Sequence, residues 1–178
     1  IYRKIMHILN KTLNLLGVSL AITIAPAVFA SGVINFTGEI TEQACTVDSQ
    51  SRNLNVDLGR VSTKSLSSAG EMAGLTNFTI KLVDCPVDTK VTVNFAGNRD
   101  AVDQDILALH HGNGSAKNVG IALYEKNAVS QIKLYEDTKE VVLAGNSAEL
   151  EYVAAFKATG AATAGQANSS AIYSIQYQ

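Results

Sequence analysis

Apolar and polar residues alternate with a period of two in one short stretch of this chain after another, and nothing else limits its fold as strongly. Successive side chains of a strand point to opposite faces, so this period is that of a half-buried strand. Leu54, Val56 and Leu58 alternate with Asn55 and Asp57, and Phe78, Ile80 and Leu82 with Thr79 and Lys81. Val91, Val93 and Phe95 follow the same rule, as do Leu150, Tyr152, Ala154 and Phe156. Near the ends, Ile34, Phe36, Gly38 and Ile40 share one face of residues 33–40, and Tyr173, Ile175 and Tyr177 one face of 171–178. Residues 119–124, 131–134 and 141–143 complete the set. Turn-rich segments at 96–100, 111–115 and 160–170 separate them. No stretch sustains a helical period for three turns, although 63–73 is expected to hold a short helical turn. The expectation is one all-β domain, a sandwich of immunoglobulin-like appearance.

The first 30 residues stand apart. Arg3, Lys4 and Lys11 supply a basic start, residues 15–30 carry no charge, and the stretch ends in Val28, Phe29 and Ala30. Small residues at the positions a signal peptidase reads make this a secretory signal peptide, cut after Ala30. A cut after Ala21 is the other option. The run is short for a membrane span of about 20 apolar residues, and Pro26 would break its helix; an uncleaved anchor is the competing reading, and no stable membrane insertion is expected. Met6 is a candidate start of translation. All 16 acids but only 11 of the 14 basic residues follow Ala30, because Arg3, Lys4 and Lys11 precede it, which leaves a formal charge of −5. An acidic exported domain is a poor binder of a nucleic-acid backbone.

Cys45 and Cys85, 40 residues apart, both fall after the leader. Two cysteines in an oxidising compartment point to one disulfide. The alternative, a metal site, lacks a CxxC pair and a nearby histidine. His110 and His111 are adjacent, so on a strand they would face opposite ways and not chelate together; the Gly, Asn and Ser around them read as an exposed loop. Asp100, Asp103 and Asp105 raise the question of a calcium loop. Counted from Asp100, however, Asp105 and His111 stand where the EF-hand pattern needs Gly and Glu. There is no GxSxG, Walker loop or HExxH. No enzyme activity, cofactor or metal is expected.

Three features together carry a family resemblance. Gly38, Glu39 and Ile40 open a segment that runs into Cys45; Cys85 follows 40 residues later in the run LVDCP; and the chain ends with Gly165 fourteenth from the end and Tyr177 penultimate. With residues 118–124 and 155–163, this set resembles the chaperone–usher fimbrial subunits, the major subunit of type 1 fimbriae among them, from Phe36 to Gln178.

The resemblance implies an incomplete immunoglobulin-like sandwich that lacks its last strand and is completed by a donor strand from a neighbouring subunit. Residues 31–40 would be the donor extension, with Ile34, Phe36, Gly38 and Ile40 facing the neighbour. Residues 41–178 would be the pilin domain, with Gly165, Tyr173, Ile175 and Tyr177 on the acceptor edge that the chaperone grips. Gly32 falls on the donor face where a larger anchor is expected. The implied partners are a periplasmic pilus chaperone, an outer-membrane usher and identical or related pilin subunits. The implied destination is a fimbrium on the bacterial surface, reached through the periplasm. Two rivals remain: a minor adaptor or terminator subunit, and a free-standing secreted sandwich that binds carbohydrate. The absence of Trp weighs against the second.

Overall fold

The computed structural model of the chain describes residues 33–38 and 44–178. The chain divides between Glu39 and Ile40 into two units. In the first, residues 33–38 form no strand and all six are exposed, Ile34 at 76 % and Phe36 at 89 %. The strand expected over 33–40 is therefore not formed by its described part; without a neighbouring strand, an extended segment has no ladder to satisfy its backbone. Ile40, Gly32 and the expected leader lie outside the described residues.

The second unit is all-β. Its described strands are β1 (Thr46–Val47), β2 (Met72–Val83), β3 (Lys90–Gly97), β4 (Val119–Glu125), β5 (Gln131–Ile132), β6 (Val141–Val142), β7 (Ser147–Ala158) and β8 (Ala171–Tyr177). They form two antiparallel sheets, one of five strands ordered β1-β2-β7-β4-β5 and one of three ordered β6-β3-β8. The inward faces follow the alternation. Ile80 and Leu82 of β2, Val91, Val93 and Phe95 of β3, and Leu150 and Tyr152 of β7 are buried in one core between the sheets. Outward positions of β2 and β7 near their paired ends are charged, and Lys81 meets Glu149 at 3.0 Å. A disulfide joins Cys45 to Cys85, with Cα atoms 4.2 Å apart, so the residue before β1 is tied to the residues after β2.

β7 departs from simple alternation, because Val153 and Ala155 on its outer face are also buried. The connection from β3 to β4 folds over that face and places Ile106 against Ala122, Tyr124 and Ala155. Lys157 holds the connection down by donating to Asp103 at 2.8 Å, and it also donates to Gln131 of β5 at 2.7 Å.

Other expectations need correction. Residues 54–58 are not a strand; Val56 and Leu58 pack on the core, but among the described residues the segment pairs with no ladder. A half-buried extended segment satisfies a period of two without pairing, so the pattern does not report the hydrogen bonds. The helical turn is confined to Thr63–Leu66, where Ser62 Oγ accepts from Lys64 N at 3.2 Å, and β2 already begins at Met72. The stretches 131–134 and 141–143 shrink to two-residue strands; Leu134 and Leu143 are buried beyond them.

Candidate functional site

β8 is the last strand of the smaller sheet and, among the described residues, is paired with β3 on one side only. Lys90 and Gln178 exchange both backbone hydrogen bonds, at 3.3 and 2.9 Å. Antiparallel pairs alternate between bonded and non-bonded, so Thr92–Gln176, Asn94–Ser174 and Ala96–Ile172 are the other bonded pairs. The backbone groups of Ala171, Tyr173, Ile175 and Tyr177 thus point to the open side. The side chains of Tyr173, Ile175 and Tyr177 turn in toward the core, whereas Ile172 faces out and is 76 % exposed. An open edge of this kind, with an apolar inner face, is a template for another strand.

The opposite wall is the segment 54–61. It is held by the bulge in β2 between Ala73 and Thr76. Thr76 Oγ1 donates to the Asp57 carbonyl at 3.2 Å, and Gly59 N donates to Asp57 Oδ1 at 2.8 Å. Gly74 has a φ of +68°, and a Cβ on it would stand 2.7 Å from the Leu58 carbonyl oxygen. Only glycine fits so close an approach in the left-handed region.

Between these walls no described residue covers the larger sheet. A cavity of about 330 Å³ is lined by Leu54, Phe78, Leu123 and Ala154 with Phe95 and Tyr173. Of its lining residues, Phe95 packs edge-on against Phe78, with ring centroids 6.2 Å apart, and against the buried Tyr152 at 5.2 Å. A second cleft of about 820 Å³ continues toward Thr63, Leu66, Phe156 and Gly165. Val56, Leu58, Ile121 and Ser169 border both, forming the ridge between them.

Two phenols brace the edge strand. Tyr173 Oη donates to the Ser51 carbonyl at 2.7 Å, and Tyr177 Oη to the Cys45 carbonyl at 3.2 Å. Burial pushes both phenols above their ordinary value. Ser51 is itself buried, and its Oγ accepts from Lys81 N at 2.9 Å. The disulfide, the 45–51 loop and β8 are therefore one braced corner.

The expected site residues are brought together in part. Tyr173, Ile175 and Tyr177 share one face at the open edge. Gly165 stands apart from them, at the far end of the larger cleft, where the chain leans on the 114–116 loop: a Cβ on it would lie 2.5 Å from the Gly114 carbonyl oxygen. Gly38 has nothing within 4 Å of a Cβ position, and Ile34 and Phe36 are exposed. The sequence reading missed the wall at 54–61 and the cavity-lining residues Phe78, Phe95 and Leu107. The alternation at 54–58 was the available signal for the wall.

The polar candidates have ordinary partners. His110 and His111 are exposed, and His110 Nε2 lies 3.2 Å from Ser170 Oγ. Asp100 Oδ1 accepts from Val102 N and Asp103 N. Among the described residues no three His, Cys, Asp or Glu side chains converge as metal ligands.

Comparison with known proteins agrees with this geometry. Residues 34–178 match the family model described as fimbrial protein. The chain is 36 % identical to the type-1 fimbrial protein A chain of Escherichia coli over 86 % of each chain. It is 34 % identical to the fimbrial subunit type 1 of Klebsiella pneumoniae over 98 % of this chain and all of that one. In fold it resembles the P pilus rod subunit PapA, with a TM-score of 0.62 at 19 % identity, covering 75 % of this chain and 99 % of that one. It also resembles a Burkholderia pseudomallei antigen and type I fimbria protein, with a TM-score of 0.59 at 30 % identity, covering 82 % and 97 %.

Proposed function

The chain belongs to the fimbrial protein family and is a structural subunit of a surface pilus, and on that premise we propose that it polymerises by lending residues 31–40 to the groove of the next copy. The observation that carries this reading is that, among the described residues, the edge of β8 is open above an uncovered core, in a chain whose residues 33–38 are apolar on one face and exposed. Each half lacks what the other offers.

An added strand would run antiparallel to β8, the more stable ladder. Its backbone would bond to Ala171, Tyr173, Ile175 and Tyr177. Phe36 would enter the smaller cavity against Phe78, Phe95 and Tyr173, and Ile34 would pack toward Ile175. Ile40 would reach toward the larger cleft. Gly38 would cross the ridge of Val56, Leu58, Ile121 and Ser169, where a glycine lets the added backbone approach closely. Burying a Phe or Ile in this way is worth about 1.5–3 kcal/mol each.

Before assembly the same groove is an aggregation hazard. A periplasmic chaperone would cover it by strand addition and an outer-membrane usher would direct the exchange. The role is structural rather than enzymatic.

The test is strand exchange in solution. Purified chaperone–subunit complex is mixed with a synthetic peptide of residues 31–40, and chaperone release is followed by gel filtration. Release at a rate set by peptide concentration is the expected result. A complex that keeps its chaperone at every peptide concentration would overturn the reading.

A further inference from the structure

We propose that Asn113 is a site of spontaneous covalent modification, its side-chain amide lost to attack by the backbone nitrogen of Gly114, and that the change remodels one wall of the larger cleft. The second half rests on the groove reading above; the first does not.

Asn113 and Gly114 are the only Asn–Gly pair in the chain. They occupy the two central positions of a turn closed by Ser115 N donating to the Gly112 carbonyl at 3.2 Å. Both are exposed, and Gly114 has a φ of +85° with nothing within 4 Å of a Cβ position. Glycine itself puts no Cβ beside the nitrogen at 114. Its N–H has no acceptor, and the Asn113 carbonyl no backbone donor, among the described residues. Two other exposed asparagines, Asn146 and Asn168, precede serines, whose Cβ crowds the nitrogen. Their carbonyls are also fixed, accepting from Cys85 N at 2.9 Å and His110 N at 2.7 Å.

The chemistry needs only water. The Gly114 nitrogen, giving up its proton, bonds to Cγ of Asn113, and the Cγ–Nδ2 bond breaks to release ammonia. Water then opens the cyclic imide at either carbonyl. One opening gives Asp at 113. The other leaves the main chain running through the former side chain, one carbon longer. Both add a negative charge.

The neighbourhood has little slack for that longer chain. Gln166 N donates to the Gly114 carbonyl at 2.8 Å, and Ala116 N to the Gln166 carbonyl at 2.9 Å. Gly165 already lies against the same carbonyl too closely for a Cβ. Lengthening the chain at 113–114 must therefore move Gly165 and Gln166, which line the larger cleft.

The test ages the chaperone-bound full-length mature subunit in warm, mildly alkaline buffer and maps its peptides by mass spectrometry. Isoaspartate methyltransferase labelling runs in parallel. The expected result is amide loss at Asn113 while Asn146 and Asn168 remain intact, methyl labelling of the same peptide, and loss of both signals in Asn113→Gln. Aged wild type should also take up the 31–40 peptide more slowly than fresh, whereas aged Asn113→Gln matches its fresh form. Conversion at Asn146 or Asn168 first, or none at Asn113, would overturn the site. Conversion with unchanged peptide uptake would overturn the coupling to the cleft. If neither fresh nor aged subunit takes up peptide, the groove reading fails and the mapping still judges the modification.

Discussion

Phe36 and Thr37 are adjacent in the chain, yet truncating them should have unequal consequences. Phe36 is exposed in the single subunit and would be buried only in a neighbour. Phe36→Ala should therefore weaken the junction by about 3–5 kcal/mol, the usual cost of emptying a buried Phe site, and leave the subunit's own melting unchanged. Thr37→Ala, on the opposite face, should alter chaperone release little. Gly38→Leu should slow exchange by overpacking the ridge, at a cost of about 1–3 kcal/mol. Peptide-driven chaperone release measures all three, and equal behaviour of the Phe36 and Thr37 variants would remove the alternating donor. A second residue-level outcome concerns Tyr177. Its phenol is the group that reaches the Cys45 carbonyl. Tyr177→Phe should destabilise the chaperone-bound subunit by about 0.5–1.5 kcal/mol, read by denaturant melting.

At the scale of elements, the β3–β4 connection is the part whose stability should respond to acid. Burial raises the Asp103 carboxyl. Its bonds to Lys157 Nζ at 2.8 Å and to Asp105 N at 3.1 Å outweigh that and hold it below its ordinary 3.8. A depressed carboxyl contributes stability that is present above its unfolded value and lost as pH falls through the folded one. The loss should therefore fall below about pH 4, and Asp103→Asn should show less of it. Melting curves of the two proteins between neutral and acid pH make the comparison; an unchanged acid slope in the variant would show that the latch contributes nothing. The element that sequence patterning misread was 54–58. Its alternation was real, and Val56 and Leu58 do face the core. The missing information was whether another strand lies beside it, because pairing is a property of neighbours and not of a segment's own period.

At the scale of the whole molecule, the three described strands of the smaller sheet are too few to cover the five of the larger one, and the deficit should govern how the protein behaves alone. Expressed without its chaperone it should aggregate or be degraded, since an open edge and an uncovered apolar floor invite non-specific pairing. Deleting residues 31–40 from the mature protein should leave chaperone binding intact and abolish fibres. Electron microscopy of the assembly reaction decides, and fibres formed by the truncated protein would place the donor elsewhere.

Period two was enough to identify β2, β3, β4, β7 and β8 and most of the core, because a strand half-buried in a sandwich must carry its apolar residues on alternate positions. The two cysteines were likewise legible as one bridge, and Tyr173, Ile175 and Tyr177 as one face. Local pattern could not say which strand ends a sheet. The open side of β8, the unpaired wall at 54–61 and the cavity at Phe78 and Phe95 depend on which segments meet in space rather than on any one segment's own pattern. Gly165 and Gly74 are cases of the same limit. Nothing beside either residue in the chain announces the carbonyl that each approaches, because those carbonyls belong to loops that only the folded sandwich brings near. Tertiary structure decided the groove because a groove is the absence of a neighbour, and no residue's own chemistry encodes an absence.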